Sequence, residues 1–310
     1  EKYQDKRNDI INVKDKVIEF ETGNVLIGSV SRLYMSNKCL LIADHKSVDK
    51  QIHIFNKNDF SYLTSIGNFG EGPEEITVMG CLAIDEAHHQ LYVSDHAKQK
   101  IFSYDMDSVM VDSLYKPQVK TAMNETLFPS EYQYINDTLS IAVLIKPTST
   151  STFNQFLGRW NMNTGEMIPM KYTHPDIQKK RITFAASEKA GIYVECYTRH
   201  DLMTICSLDG ELLYNIYGPD WDGGNGNKLQ SFGTVMIGND KIFVSYCGED
   251  YARDSFPTKI LVFDLEGNYL KTLETGYKIS DCCYDSFNNR IILSLNDVVQ
   301  FAYLDIDGII

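Results

Sequence analysis

QLYVSDHAKQKIFSYDMD, Gln90 to Asp107, reads as an apolar strand, an Asp-His pair, a short polar link and an alternating strand that ends in a polar turn. The same order stands in CLLIADHKSVDKQIHIFNKND, Cys39 to Asp59, which places Asp44 and Asp95 51 residues apart. Looser copies follow as GIYVECYTRHDLMTICSLDGELLYNI from Gly191, KIFVSYCGEDYARDSFPTKILVFDLEGNYLKTL from Lys241 and RIILSLNDVVQFAYLDIDG from Arg290. A divergent copy, TLSIAVLIKP then FNQFLGRWNMNTGEMIPM, lies between Thr138 and Met170, so the unit occurs six times.

Turn pairs punctuate these copies at Thr164-Gly165, Asp209-Gly210, Glu266-Gly267 and Asp307-Gly308. Upstream of most copies stands one more strand-like segment, such as VMGCLAIDEA or SFGTVMIGND. Four short strands per repeat of roughly 40 to 55 residues are the signature of a propeller blade. A large antiparallel sandwich would have no reason to repeat one turn grammar six times. The expected fold is therefore an all-β, six-bladed β-propeller of four-stranded antiparallel blades, one domain over residues 1–310. The last repeat stops after its third strand, while IINVKDKVIEF, Ile10 to Phe20, is strand-like and unassigned. That N-terminal strand is expected to complete the sixth blade and remove an exposed sheet edge.

Composition narrows the partners. With 29 basic against 42 acidic residues the formal charge is −13, which repels phosphate backbones and anionic membranes, so nucleic acid is excluded as an expected partner. No apolar run reaches the length that crosses a bilayer. Seven cysteines form no CxxC pair and fall mostly in strand-like runs, which reads as buried free thiols. No HxxxH or HExxH occurs, and no metal site is expected from spacing.

SIGNFGEGPEEI, Ser65 to Ile76, crosses from the outer strand of the first repeat to the inner strand of the second. Its Ile66-Gly67 followed by Gly70, Gly72, Pro73 and Glu75, with LAID and LYVSD downstream, resembles the six-bladed propellers related to the TolB-like and NHL-repeat groups. Those propellers are common as secreted lipoproteins of gut bacteria. The resemblance implies export to the periplasm or cell surface and a lipid anchor in the full-length protein, in tension with several unpaired cysteines. As a phosphate cradle the stretch is unsuited: no helix N-terminus follows it, and Glu71, Glu74 and Glu75 would repel an anion. Its glycines and proline are expected to serve turn dihedrals.

Candidate binding residues come from strand ends that a propeller gathers around one channel mouth. Asp44-His45 and Asp95-His96 close corresponding second strands, and Arg199-His200, Glu249-Asp250 and Asp297 hold the like place later in the chain. An Asp at such a position ordinarily caps a turn. Trp221, within the glycine-rich GPDWDGGNGNK from Gly218, suits stacking on a sugar or peptide, or packing over a blade edge. His88 and His89 belong to the opposite, hairpin-turn face and are expected to be solvated. No GxSxG and no Cys-His arrangement stands out, so catalytic residues are not assigned. The leading expectation is a non-catalytic propeller of the cell envelope, without cofactor, that binds a glycan, peptide or partner protein. The alternative is a lactonase or lyase-type enzyme with a divalent cation such as calcium held by Asp44, His45, Asp95 and His96.

Overall fold

The computed structural model describes every residue except Asn227. The chain folds as a six-bladed β-propeller in which every blade is an antiparallel sheet of four strands, two of them carrying a short fifth strand in parallel. Two compact units divide it: Thr22–Met170, and Lys171–Ile310 together with Glu1–Glu21.

Thr22–Met170 holds three blades. The first is Ser31–Met35, Cys39–Asp44, Lys50–Asn56 and Tyr62–Asn68, and the second begins Met79–Asp85, Gln90–Asp95 and Lys100–Asp105. The second strand, Cys39–Asp44, is buried along its whole length, with the second blade packed on one of its faces. Leu41, Ile52 and Ile54 pack there with Leu82, Leu91 and Val93. Beyond Asp105 the chain departs from a simple meander. Asp105 accepts from Ser108 N at 2.9 Å and caps a six-residue helix, Met106–Val111, before Gln118–Ala122 returns as the fourth strand. A helix this short has too few turns to show a 3.6-residue pattern. The third blade, Phe128–Asn136, Leu139–Pro147, Phe153–Trp160 and Met167–Pro169, packs Tyr132, Leu144 and Trp160 against Ala83, Tyr92 and Ile101.

The crossing from the first blade to the second folds around one carboxylate. Glu75 Oε2 accepts from Gly72 N at 2.8 Å, and Lys98 Nζ donates to the carbonyls of Gly72 and Glu75. Gly70 has φ +157°, and a Cβ there would stand 1.9 Å from Glu75 Oε2. The motif is thus more than a set of turn dihedrals: Gly70 and Gly72 make room for the acid that organises them.

The other unit holds the remaining three blades: Ile182–Ser187 through Leu212–Tyr217, Leu229–Gly238 through Tyr269–Glu274, and Ile279–Asp285 through Phe301–Asp305. Val17–Glu19 pairs antiparallel with Phe301–Asp305 and supplies the missing fourth strand of the sixth blade, as expected. The run Ile10 to Phe20 is not one strand, however. Ile10–Asn12 pairs parallel with Tyr269–Glu274, and Lys2–Tyr3 pairs parallel with Leu212–Tyr217. Val13, fully buried, and the 3-10 turn Lys14–Lys16 break the run and carry the chain to its last blade.

Between the first two of these short strands, Arg7 Nη1 meets Asp201 Oδ1 at 2.7 Å with both side chains almost wholly buried. The guanidinium also lies 5.4–5.7 Å from the ring centres of Phe232, Tyr246 and Phe263. All seven cysteines are free and buried, as the strand context implied.

Two stability measurements follow. Arg7→Met leaves the Asp201 carboxylate uncompensated, and urea unfolding should show a loss of about 3–5 kcal/mol that Asp201→Asn partly restores; a loss near zero would dismiss the ion pair as a pin. Gly70→Ala should cost about 1–3 kcal/mol by the same measurement, with Gly23→Ala, exposed and clear of neighbours, as the reference for a positive φ alone.

Candidate functional site

The strand-end carboxylates share one structural task. Asp44 accepts from Gly28 N at 2.9 Å and Lys46 N at 3.1 Å. Asp95 accepts from Thr77 N at 2.8 Å, Val78 N at 3.1 Å, Ala97 N at 3.0 Å and Lys98 N at 3.2 Å. Asp297 accepts from Lys278 N and Val298 N at 3.1 and 2.8 Å. In each of these three blades the acid ties its own loop to the segment leading into the first strand, which is the capping chemistry of such positions.

The histidines beside them point inward. His45 places Nδ1 3.2 Å from Met79 O and leaves Nε2 buried without a partner. His96 packs edge-on to Phe128, its Nε2 likewise buried, and Gly80 passes so near that a Cβ would stand 2.4 Å from that nitrogen. Burial pushes both imidazoles below their ordinary value and keeps them neutral.

In the unit of Lys171–Ile310 the expected residues fall into two groups. Glu249 pairs with Arg253 at 3.1 Å on the surface, and Asp250 caps the turn Tyr251–Arg253 through Ala252 N. Trp221 is half-buried among rings, with centres at 4.9 Å from Tyr217, 5.7 Å from His174 and 5.9 Å from His200. The indole thus packs among these rings, one of which, His200, lines the cavity described next.

Arg199 and His200 line a cavity of about 920 Å³. Its walls come from three places: the segment before the fourth blade's first strand, with Arg181; the loop after that blade's second strand, with Arg199 and His200; and the glycine-rich loop leading to Gln230. Tyr251, at the end of the fifth blade's second strand, completes the rim. The Arg199 guanidinium carbon lies over the Tyr251 ring, 3.1 Å from its centre. His200 is 7% exposed, and its Nδ1 has no hydrogen-bond partner among the described residues. A Cβ on Gly226 would stand 2.2 Å from His200 Cε1, so only glycine lets that loop lie against the ring. Asn227 of the same loop is outside the described residues.

Arg181 and Tyr251 are members that the sequence reading passed over. Arg181 stands directly before a first strand, a place equivalent in loop class to the strand ends that were considered, and that position was its available signal. A second cluster also went unread. His88 is not merely solvated: its Nδ1 lies 2.7 Å from Asp85 Oδ2 and 3.8 Å from Asp137 Oδ1. Among the described residues this is the group with metal-ligand spacing. Asp285 holds Asn288 in the same way at the corresponding hairpin of the last blade, so the arrangement is a hairpin cap before it is anything else. Its acid raises the pKa of His88.

In sequence, residues 1–156 match the profile of DUF5128, described as 6-bladed beta-propeller. No curated protein matches the chain. Among solved structures, a protein from Bacteroides fragilis NCTC 9343 described as exported is similar with a TM-score of 0.60 at 14% identity, covering 94% of this chain and 87% of the other. A member of the duf4221 family from Bacteroides vulgatus has a TM-score of 0.61 at 11% identity over 97% and 98%. The Cps50 (Swd1) β-propeller domain of Myceliophteria thermophila has 0.58 at 9% over 93% and 98%. At these identities the likeness is one of fold.

Five of the seven histidines, His45, His53, His96, His174 and His200, are held below the ordinary imidazole value, with burial the largest cause in each. As pH falls through about 6.5 the unfolded chain takes up these protons before the native one does, so native stability declines; exposed His88, raised by Asp85, acts the other way. Thermal unfolding should therefore shift to lower temperature between about pH 7.5 and about pH 5.5. A midpoint that rose on acidification would contradict the buried, neutral state of these rings.

Proposed function

The chain belongs to the DUF5128 family of six-bladed β-propellers, and from that premise we propose that it is an exported, non-catalytic binding protein whose ligand occupies the Arg199–His200 cavity. The observation that carries this reading is the cavity itself. At about 920 Å³ it falls in the size range of small-molecule sites, and its walls are loops from two blades converging on polar side chains. Loops positioned on a rigid sheet scaffold are where propellers place recognition. The ligand is a glycan, a peptide or an exposed part of a partner protein. Export is supported by the exported structural neighbour, while the envelope location and lipid anchor are what the sequence resemblance implies.

Binding is preferred over turnover because the enzyme alternative would draw its acids and bases from Asp44, His45, Asp95 and His96. Those carboxylates are committed to loop amides, and those imidazoles are turned into packed interiors. Their arrangement is that of loop fasteners.

Glycan and peptide arrays probed with the purified chain are expected to return a ligand whose affinity falls about tenfold or more in Trp221→Ala, because the indole backs both His200 and the glycine-rich loop. A ligand indifferent to Trp221→Ala and to Arg199→Ala would move the site elsewhere. Chemical conversion of the bound ligand, read by mass spectrometry, would overturn the non-catalytic assignment.

A further inference from the structure

The cavity's charge is at odds with the chain's. The protein carries −13 overall, yet Lys179, Arg181 and Arg199 line this one cavity against Asp176 and Asp254. Arg199 has no ion pair among the described residues; its guanidinium rests over the Tyr251 ring, a contact that does not neutralise its charge. Arg181 donates from Nη1 to its neighbour's carbonyl, Lys180 O, at 2.7 Å. Burial and then the positive charge of Arg199 lower the Arg181 pKa, the second a sign that the two cations feel one another. An anion held in a cavity lined by Lys179, Arg181 and Arg199 would be attracted by all three cations.

Two buried polar atoms on the same walls lack partners. His200 Nδ1 and Gln230 Oε1 are both buried without a hydrogen bond among the described residues. Both atoms are shut off from the open space, His200 Nδ1 behind Gly226, so they belong to the packed wall of the cavity. The indole of Trp221 and the close approach of Gly226 hold the imidazole in place, so this polar surface is preorganised.

We propose that the cavity is an oxyanion-binding site in which Arg181 and Arg199 clamp the carboxylate or sulfate group of a small hydroxylated ligand. The planar fork of arginine fits both anions through paired N–H···O bonds, which a neutral ligand cannot use. This inference rests on the binding function proposed above and narrows it to the acidic members of the ligand class. It also answers how a strongly acidic protein would accept an anionic ligand at all, since the attraction is local and shielded from the rest of the surface by distance and salt.

The test is calorimetric titration at low ionic strength with three matched probes: glucuronate, glucose 6-sulfate and glucose. At least one charged sugar should bind about tenfold or more tightly than glucose, and the preference should vanish in Arg181→Gln/Arg199→Gln. Comparison of the two charged probes says whether the site takes carboxylate or sulfate. If the double variant fails to fold, the wild-type salt dependence decides: charged-probe affinity should fall steeply with added sodium chloride while glucose affinity stays level. Equal binding of glucose and the charged sugars, or no binding by either charged sugar, overturns the oxyanion assignment. A neutral array ligand that still depends on Trp221 would sink this inference while leaving the binding function intact.

Discussion

A guanidinium and a carboxylate 2.7 Å apart, both shut away from water, fasten the first segment of the chain to the body that contains the candidate site. Neither charge is tolerable there alone, because desolvating a single ion costs more than packing returns. The pair therefore couples two placements: residues 1–12 lie along the outer strands of two blades, and Asp201 is buried with its charge met. Asp201 in turn accepts from Asp220 N at 3.0 Å, and Gly218 passes so close that no side chain would fit. The loop bearing Trp221 starts from that contact. Geometry at the cavity is thus inherited from a residue seven positions from the start of the sequence.

How much of this could be read from residue order depends on the length scale of the signal. The blades were legible because each repeats an alternation over many residues and closes with its own turn chemistry. Completion of the sixth blade by the N-terminal segment was legible for the same reason, since a repeat lacking one strand needs that strand from elsewhere. The parallel additions Lys2–Tyr3 and Ile10–Asn12 were not, because two or three residues have no period, and their pairing is decided by the edges they meet. Val13 looks like one more β-branched strand residue until its burial shows that it turns the chain.

The site was half legible. Strand ends repeated around a ring led to Arg199 and His200, but the same rule led equally to Asp44, Asp95 and Asp297, which fasten loops. Nothing local distinguishes an aspartate that accepts backbone amides from one that meets a ligand; the difference lies in where those amides are. Arg181 and Tyr251 were hidden by their ordinariness, an arginine in a charged run and a tyrosine among nineteen. What makes them notable is a stacking contact and a shared cavity, both products of tertiary placement.

The seven buried cysteines have a consequence for where this chain can reside. Burial raises the pKa of every one of them, to about 11 for Cys81 and Cys206. Oxidation and disulfide exchange proceed through the exposed thiolate, so the native fold withholds both the ionised form and access to it. Protection of the thiols is then a property of conformation, supplied by the sheets whatever the compartment. An oxidising environment would be hazardous to the chain during the interval before the blades close, so under the proposed export free cysteines set a race between folding and oxidation.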